Sequence, residues 1–281
     1  MKNQIKKSVS LAGIILLFSG MFVQLFSQEV TLAYKYSDEK PVHYLYTSTM
    51  AQIMDMQGQT MQTDVTSAFG CSVRQAGLQG KDIVLEIIVD TLGQKTDSPM
   101  GGGGGPVMDA KGKTVKVVIA PTGKPVDFTG AEAIVFNVEG SESNLAQSLY
   151  ELFPILPENP VKPGDTWNSS DSSNLKTATM SQTMISNTIN KFEGIETVGG
   201  TECAKITKEG TGTFKMSLQS QGMDLNIKGP FERTSENLVS VGNGSLVSQS
   251  SSTKITGELE IASMGMTMPI TIQIRDVTVI K

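Results

Sequence analysis

A hairpin signature that recurs three times constrains this chain more than any other feature. Met54-Asp55-Met56-Gln57-Gly58-Gln59-Thr60-Met61, Leu218-Gln219-Ser220-Gln221-Gly222-Met223-Asp224-Leu225 and Ala262-Ser263-Met264-Gly265-Met266-Thr267-Met268 each set a lone glycine between two strand-like runs. Glycine takes the positive φ of a tight hairpin without steric cost. The runs on either side alternate in polarity. The strictest, Ile270-Thr271-Ile272-Gln273-Ile274-Arg275-Asp276-Val277, buries one face of a strand and wets the other.

The same reading extends along most of the chain. Residues 42–56 run into Gly58 and residues 59–73 run back. Residues 82–90 form a short β-branched apolar run between turn signals. Residues 113–119 alternate, and Pro121-Thr122-Gly123-Lys124 turns them into Val126-Asp127-Phe128. Further strands are expected at 180–192, 202–208, 211–221, 223–228, 245–257, 258–264 and 266–280.

One helical island interrupts them. Ser141 or Ser143 can cap a segment ending near Phe153, with Leu145, Leu149, Leu152 and Phe153 on one helix face. Pro154 stops it, and Pro154, Pro157, Pro160 and Pro163 recur at every third residue, as in an extended strap. The expected fold class is mainly β. Long antiparallel hairpins form a curved sheet or half-barrel, with a short helical insert and Pro-rich strap in the middle.

The N-terminus reads as a secretory signal peptide over residues 1–28. Lys2, Lys6 and Lys7 precede an apolar run over residues 9–26, which ends at Ser27-Gln28-Glu29. Cleavage after Ser27 or Gln28 is expected, the latter leaving 253 of the 281 residues, and the alternative is an uncleaved anchor helix. The domains then read as an N-terminal β-half with the helical insert, 29–153, and a C-terminal β-half, 154–281, or one continuous domain. An exported location is expected: periplasm, outer-membrane associated or extracellular. No integral membrane span is expected once the leader is removed.

The net charge of −5 becomes −8 without the three leader lysines, and no basic patch interrupts it. Nucleic acid is therefore excluded as a partner. Cys71 and Cys203 suit a disulfide in an oxidising compartment, or two separately buried thiols; sequence leaves both open.

No catalytic, cofactor or metal residues emerge. His43 is the sole histidine, which excludes a His-rich zinc site and reads as a strand-surface residue. No G-x-S-x-G elbow occurs. Gly112-Lys113-Thr114 lacks the glycine five residues earlier that a phosphate loop needs and leads into a strand. The five glycines at 101–105 read as a flexible loop. Carboxylates spaced by two or four, such as Glu258 with Glu260, read as wet strand faces.

The methionines stand out instead. Met54 and Met56 share a strand face, as do Met264, Met266 and Met268. Thioethers are pliable and suit adaptable apolar surfaces. These five are the candidate apolar ligand face.

Leu156-Pro157-Glu158-Asn159-Pro160-Val161-Lys162-Pro163-Gly164-Asp165-Thr166-Trp167 carries the pattern P-x-x-P-V-x-x-G-D-x-W. Gly194 to Ile206 carries G-x-x-x-x-x-G-x-x-x-x-K-I. With these two stretches the chain resembles exported β-rich proteins of unknown function from Bacteroidetes-type bacteria. That resemblance implies export and no catalytic residues. Many members carry a lipid-accepting cysteine after the leader, and this chain has none there. At the level of fold, long curved hairpins with a helical insert also resemble periplasmic lipoprotein carriers, whose half-barrel holds acyl chains. The expected role is a non-enzymatic envelope protein whose curved sheet binds an apolar ligand such as lipid. The alternative is a structural or partner-binding module with a filled core, its partner another envelope protein.

Overall fold

In a computed structural model, residues 29–56, 58–99, 101–138, 141–144, 146–220 and 222–281 are described. The signal peptide expected at 1–28 lies outside them.

Twelve strands pair into one antiparallel sheet that is not closed into a barrel. The first arm is β1 (Val42–Met56), β2 (Gln59–Gln79), β3 (Asp82–Asp97), β4 (Gly103–Pro106), β5 (Thr114–Ile119) and β6 (Pro125–Asp127). A separate two-stranded piece, β7 (Val135–Val138) with β8 (Ser141–Asn144), belongs to the insert. The second arm is β9 (Thr166–Lys176), β10 (Met180–Val198), β11 (Thr201–Ser220), β12 (Met223–Ser240), β13 (Leu246–Ile261) and β14 (Met266–Ile280). Each arm is a meander, and the two meet where β1 pairs β14 from Tyr44↔Ile280 to Met54↔Ile270. One sheet thus joins the two arms in space.

Strand length follows from the uninterrupted alternation. At about 3.3 Å per residue, the 21 residues of β2 span roughly 70 Å. The hairpin glycines Gly58, Gly222 and Gly265 have φ of 84°, 78° and 61°. Expected strands fuse or lengthen. Residues 202–208 and 211–221 become β11, and 223–228 extends through Pro230 to complete β12. Pro230 has no amide hydrogen to donate. Accordingly, the β12–β13 ladder pauses between Lys228↔Glu258 and Phe231↔Ile255.

The glycine run also departs from expectation. Gly103–Pro106 forms β4 against β3 rather than a free loop. A Cβ on Gly104 would lie 2.1 Å from the Gln94 carbonyl oxygen, so only glycine allows this approach. The helical island is shorter than expected. Residues 141–144 are strand β8, and helix α2 covers Ala146–Glu151, with the Asn144 side-chain oxygen accepting from the Ala146 amide at 3.0 Å. A preceding turn of helix, α1, covers Thr129–Glu132.

The sheet has one apolar face, and its two ends differ. At one end Leu149, Leu152 and Phe153 from the α2 region, Phe128 beside α1 and Leu32, Tyr34 and Tyr36 from the N-terminal segment pack on Tyr44, Phe69, Leu85, Phe192, Ile206 and Val239. Tyr34 donates to the Pro154 carbonyl at 2.9 Å and stacks on Tyr36. The strap is tied by Val30 and Val161 and by Leu156 to Thr122. Trp167 packs half-buried against this core.

Candidate functional site

The other end of the same face holds a second cluster. Phe214, Ile227, Phe231, Ile255, Leu259, Met268, Ile270 and Ile272 are buried, and every one comes from the sheet itself. Ile255 is 1% exposed and Ile270 2%. A single flat sheet leaves its face open to water, so burial of this depth follows from the sheet curling around these side chains. Among the described residues no helix joins this cluster.

Glycines on the concave side permit the curl. A Cβ at Gly212 would meet the Ile185 carbonyl oxygen at 2.0 Å and the Phe231 ring at 2.7 Å. One at Gly257 would lie 2.2 Å from the Lys228 carbonyl oxygen, and one at Gly229 2.7 Å from the Gly257 Cα. Bare backbone on the inner side lets β10 to β13 bend sharply.

The rim of the cluster is methionine-rich. Met50, Met54, Met184, Met216 and Met266 pack half-buried around the floor with Leu225, Ile261 and Ile274. Of the expected apolar face, Met54, Met266 and Met268 therefore come together. Met264 does not share their strand; it sits 60% exposed in a 3-10 turn, Ala262–Met264, because the hairpin closes there. The side chain of Met56 lies outside the described residues.

Between the two apolar ends runs a polar belt. Arg233 on β12 donates from Nη1 to Glu151 Oε1 of α2 at 2.7 Å and from Nη2 to Oε2. Arg233 also reaches Ser251, whose hydroxyl donates to Asp276 Oδ2 at 3.0 Å. Tyr46 donates to Asp276 Oδ1 at 2.8 Å. Burial raises the Glu151 carboxyl, but Arg233 outweighs it and holds the group below the usual carboxylate range. Burial and Asp276 push the Tyr46 phenol up.

Lys208 on β11 faces the same region. Burial, then repulsion from Arg233, lowers it to about 8, against weaker attraction from Glu151 and Asp171. A cavity of about 130 Å³ lies here, lined by α2, by β9 to β13 and by Phe153 to Ile155 of the strap. Lys208, Arg233, Glu151 and Gln249 line it, as do Met184 and Phe231 of the apolar trough.

The opposite face of the sheet brings together His43, Ser72 and Asp90. Ser72 Oγ donates to Asp90 Oδ2 at 2.7 Å and lies 2.9 Å from His43 Nδ1. A serine nucleophile gives its proton to the histidine. Here Ser72 Oγ donates to the carboxylate, and His43 Nδ1 lies within hydrogen-bond distance of the same Oγ. The trio ties β1, β2 and β3 on a surface where His43 and Asp90 side chains are 52% and 44% exposed. Cys71 and Cys203 are free, buried thiols, and burial pushes both up. Among the described residues no group of three His, Cys, Asp or Glu side chains is placed to hold a metal ion.

Sequence reasoning missed the belt, although it left a mark. Asp276 keeps phase with Ile270, Ile272 and Ile274; Arg233 with Ile227 and Phe231; Lys208 with Ile206 and Phe214. A charge on the apolar phase of a strand is the sign of a buried polar site.

No family model and no curated protein matches the chain. Among solved structures it is similar to a Bacteroides fragilis protein described as exported, with a YmcC-like fold, at 10% identity and TM-score 0.21 over 89% of this chain and 97% of that one. It is also similar to OccK2 (OpdF) of Pseudomonas aeruginosa, solved with glucuronate, at 6% identity and TM-score 0.26 over 88% and 100%. A DUF1329 family protein of Desulfovibrio piger matches at 11% identity and TM-score 0.16 over 85% of each chain. At such scores these likenesses carry no functional weight.

Proposed function

We propose that this chain is an exported, non-enzymatic envelope protein that binds an apolar ligand, an acyl chain, in the trough of its curled sheet. The observation that carries the reading is the second cluster. Its floor is branched and aromatic, its rim is methionine, and it is built from one sheet without a helix among its members. Flexible thioethers around a rigid apolar floor suit a surface that opens and re-packs around a chain. Export is supported by the leader pattern of Lys2, Lys6 and Lys7 before an apolar run.

Native mass spectrometry of protein purified gently from its own envelope tests this. A lipid-sized adduct that disappears on organic extraction is expected. A bare mass across several detergents overturns the reading. It would favour a partner-binding module, for which Ile185 and Ile189, 50% and 58% exposed on β10 beside edge strand β9, are the supporting surface.

A further inference from the structure

The cavity beside α2 contains a cation whose partners are already engaged elsewhere. Glu151 is the carboxylate nearest the two cations, and Arg233 occupies both its oxygens. Lys208 makes no hydrogen bond or close ion pair among the described residues. Asp171, on edge strand β9, is exposed, so its attraction is screened by water. Gln249 is 6% exposed, and its Oε1 has no donor among the described residues. Lys208 is half-buried, whereas a buried acceptor such as Gln249 Oε1 ordinarily meets a donor.

Size and continuity complete the picture. A space of about 130 Å³ holds several waters, enough for a small headgroup. Phe231 and Met184 line this cavity and also belong to the second apolar cluster, so a molecule seated here lies against that cluster.

We propose that the cavity seats a small anionic headgroup, carboxylate or phosphate, and that the ligand is a single-chain amphiphile with its acidic end at Lys208 and its tail past Met184 and Phe231. This rests on the reading of the trough as an acyl-chain site. An anion supplies the acceptor that Lys208 lacks, and a phosphate monoester also offers a hydroxyl to Gln249.

Calorimetric titration of the full chain with dodecanoate, dodecyl phosphate and dodecanol tests it, on wild type, Lys208→Gln and Asp171→Asn. A hydrogen bond to a charged group is worth about 1.5–3 kcal/mol, so the anions are expected to bind about tenfold or more tighter than the alcohol. Lys208→Gln closes that gap, while Asp171→Asn widens it. Dodecanoate binding weakens from pH 7 to 9 in wild type and not in Lys208→Gln. Arg233, Glu151, Tyr150, Asp171 and Asp276 also face the site, and the Lys208→Gln arm separates their contribution from that of Lys208. The stronger of the two anions identifies the head as carboxylate or phosphate. Equal binding of acid and alcohol, or no effect of Lys208→Gln, overturns the headgroup site while the trough reading stands. Binding of none of the three probes sinks both.

Discussion

Lys208 and Glu151 share a cavity and have opposite effects on stability. Glu151 titrates below its ordinary value in the fold. Its contribution is therefore present above the ordinary carboxylate pKa of about 4.3 and is lost as pH falls below it. Glu151→Gln strands Arg233 and is expected to cost about 3–5 kcal/mol at pH 7 in urea denaturation. Lys208 has the reverse linkage. Its folded value of about 8 lies below the unfolded value of about 10.4. Folding is penalised wherever the lysine is charged in both states, and the penalty fades as pH rises from about 8 to 10.4. Lys208→Met should raise stability at pH 7 and remove that rise. A Lys208→Met variant less stable than wild type would show that the ammonium is well paired after all. A charge kept at a stability cost is what a binding site requires and a filled core does not.

The elements were legible where the signal was local. Lone glycines marked the hairpins, and period-two alternation marked their arms, so β1, β2 and β10 start where expected. Where tertiary contacts decided, the sequence misled. Ser141 to Asn144 can cap a helix, yet they pair with β7, and the glycine run is held as β4 by an approach only bare backbone allows. The concave glycines carry the same lesson into the site, since nothing near Gly257 announces the strand that meets it. Gly257→Val puts a side chain 2.2 Å from the Lys228 carbonyl oxygen and should cost about 1–3 kcal/mol or more. Hydrogen exchange should show the loss concentrated in β12 and β13. Gly80, whose Cβ would meet nothing within 4 Å, has a φ of 65° and is expected to lose less on replacement by asparagine, which tolerates that conformation.

At the scale of the whole molecule, the candidate site spans both arms and the insert. Tyr46 comes from the first arm, Glu151 from the insert, and Lys208, Arg233 and Asp276 from the second. Tyr46 and Asp276 are 230 residues apart and meet across the β1–β14 pairing. No spacing rule in a sequence links such residues; only the phase of each along its own strand hints at them. The two arms also share the core under the insert, so unfolding should be one transition. Gln273→Pro tests this. The Gln273 side chain is exposed, but its residue pairs with Ala51 on one side and Lys254 on the other. The variant should lose protection in both arms together, whereas Gln273→Thr should stay within about 0.5 kcal/mol of wild type. Protection surviving intact in the first arm alone would show that the arms fold independently.

The β1–β14 seam has a consequence for how the chain reaches this state. Every other long pairing joins neighbours in sequence and closes through a short loop, so each meander zips locally and fast. The seam instead joins strands far apart in sequence, from Tyr44↔Ile280 to Met54↔Ile270, and closes late. Until β14 arrives, the fifteen residues of β1 present an unmated edge that carries Met, Tyr and Leu side chains, a template for intermolecular pairing. The most hazardous interval in the folding of this protein is then the one before β14 pairs with β1, and a holdase that shields β1 would act there.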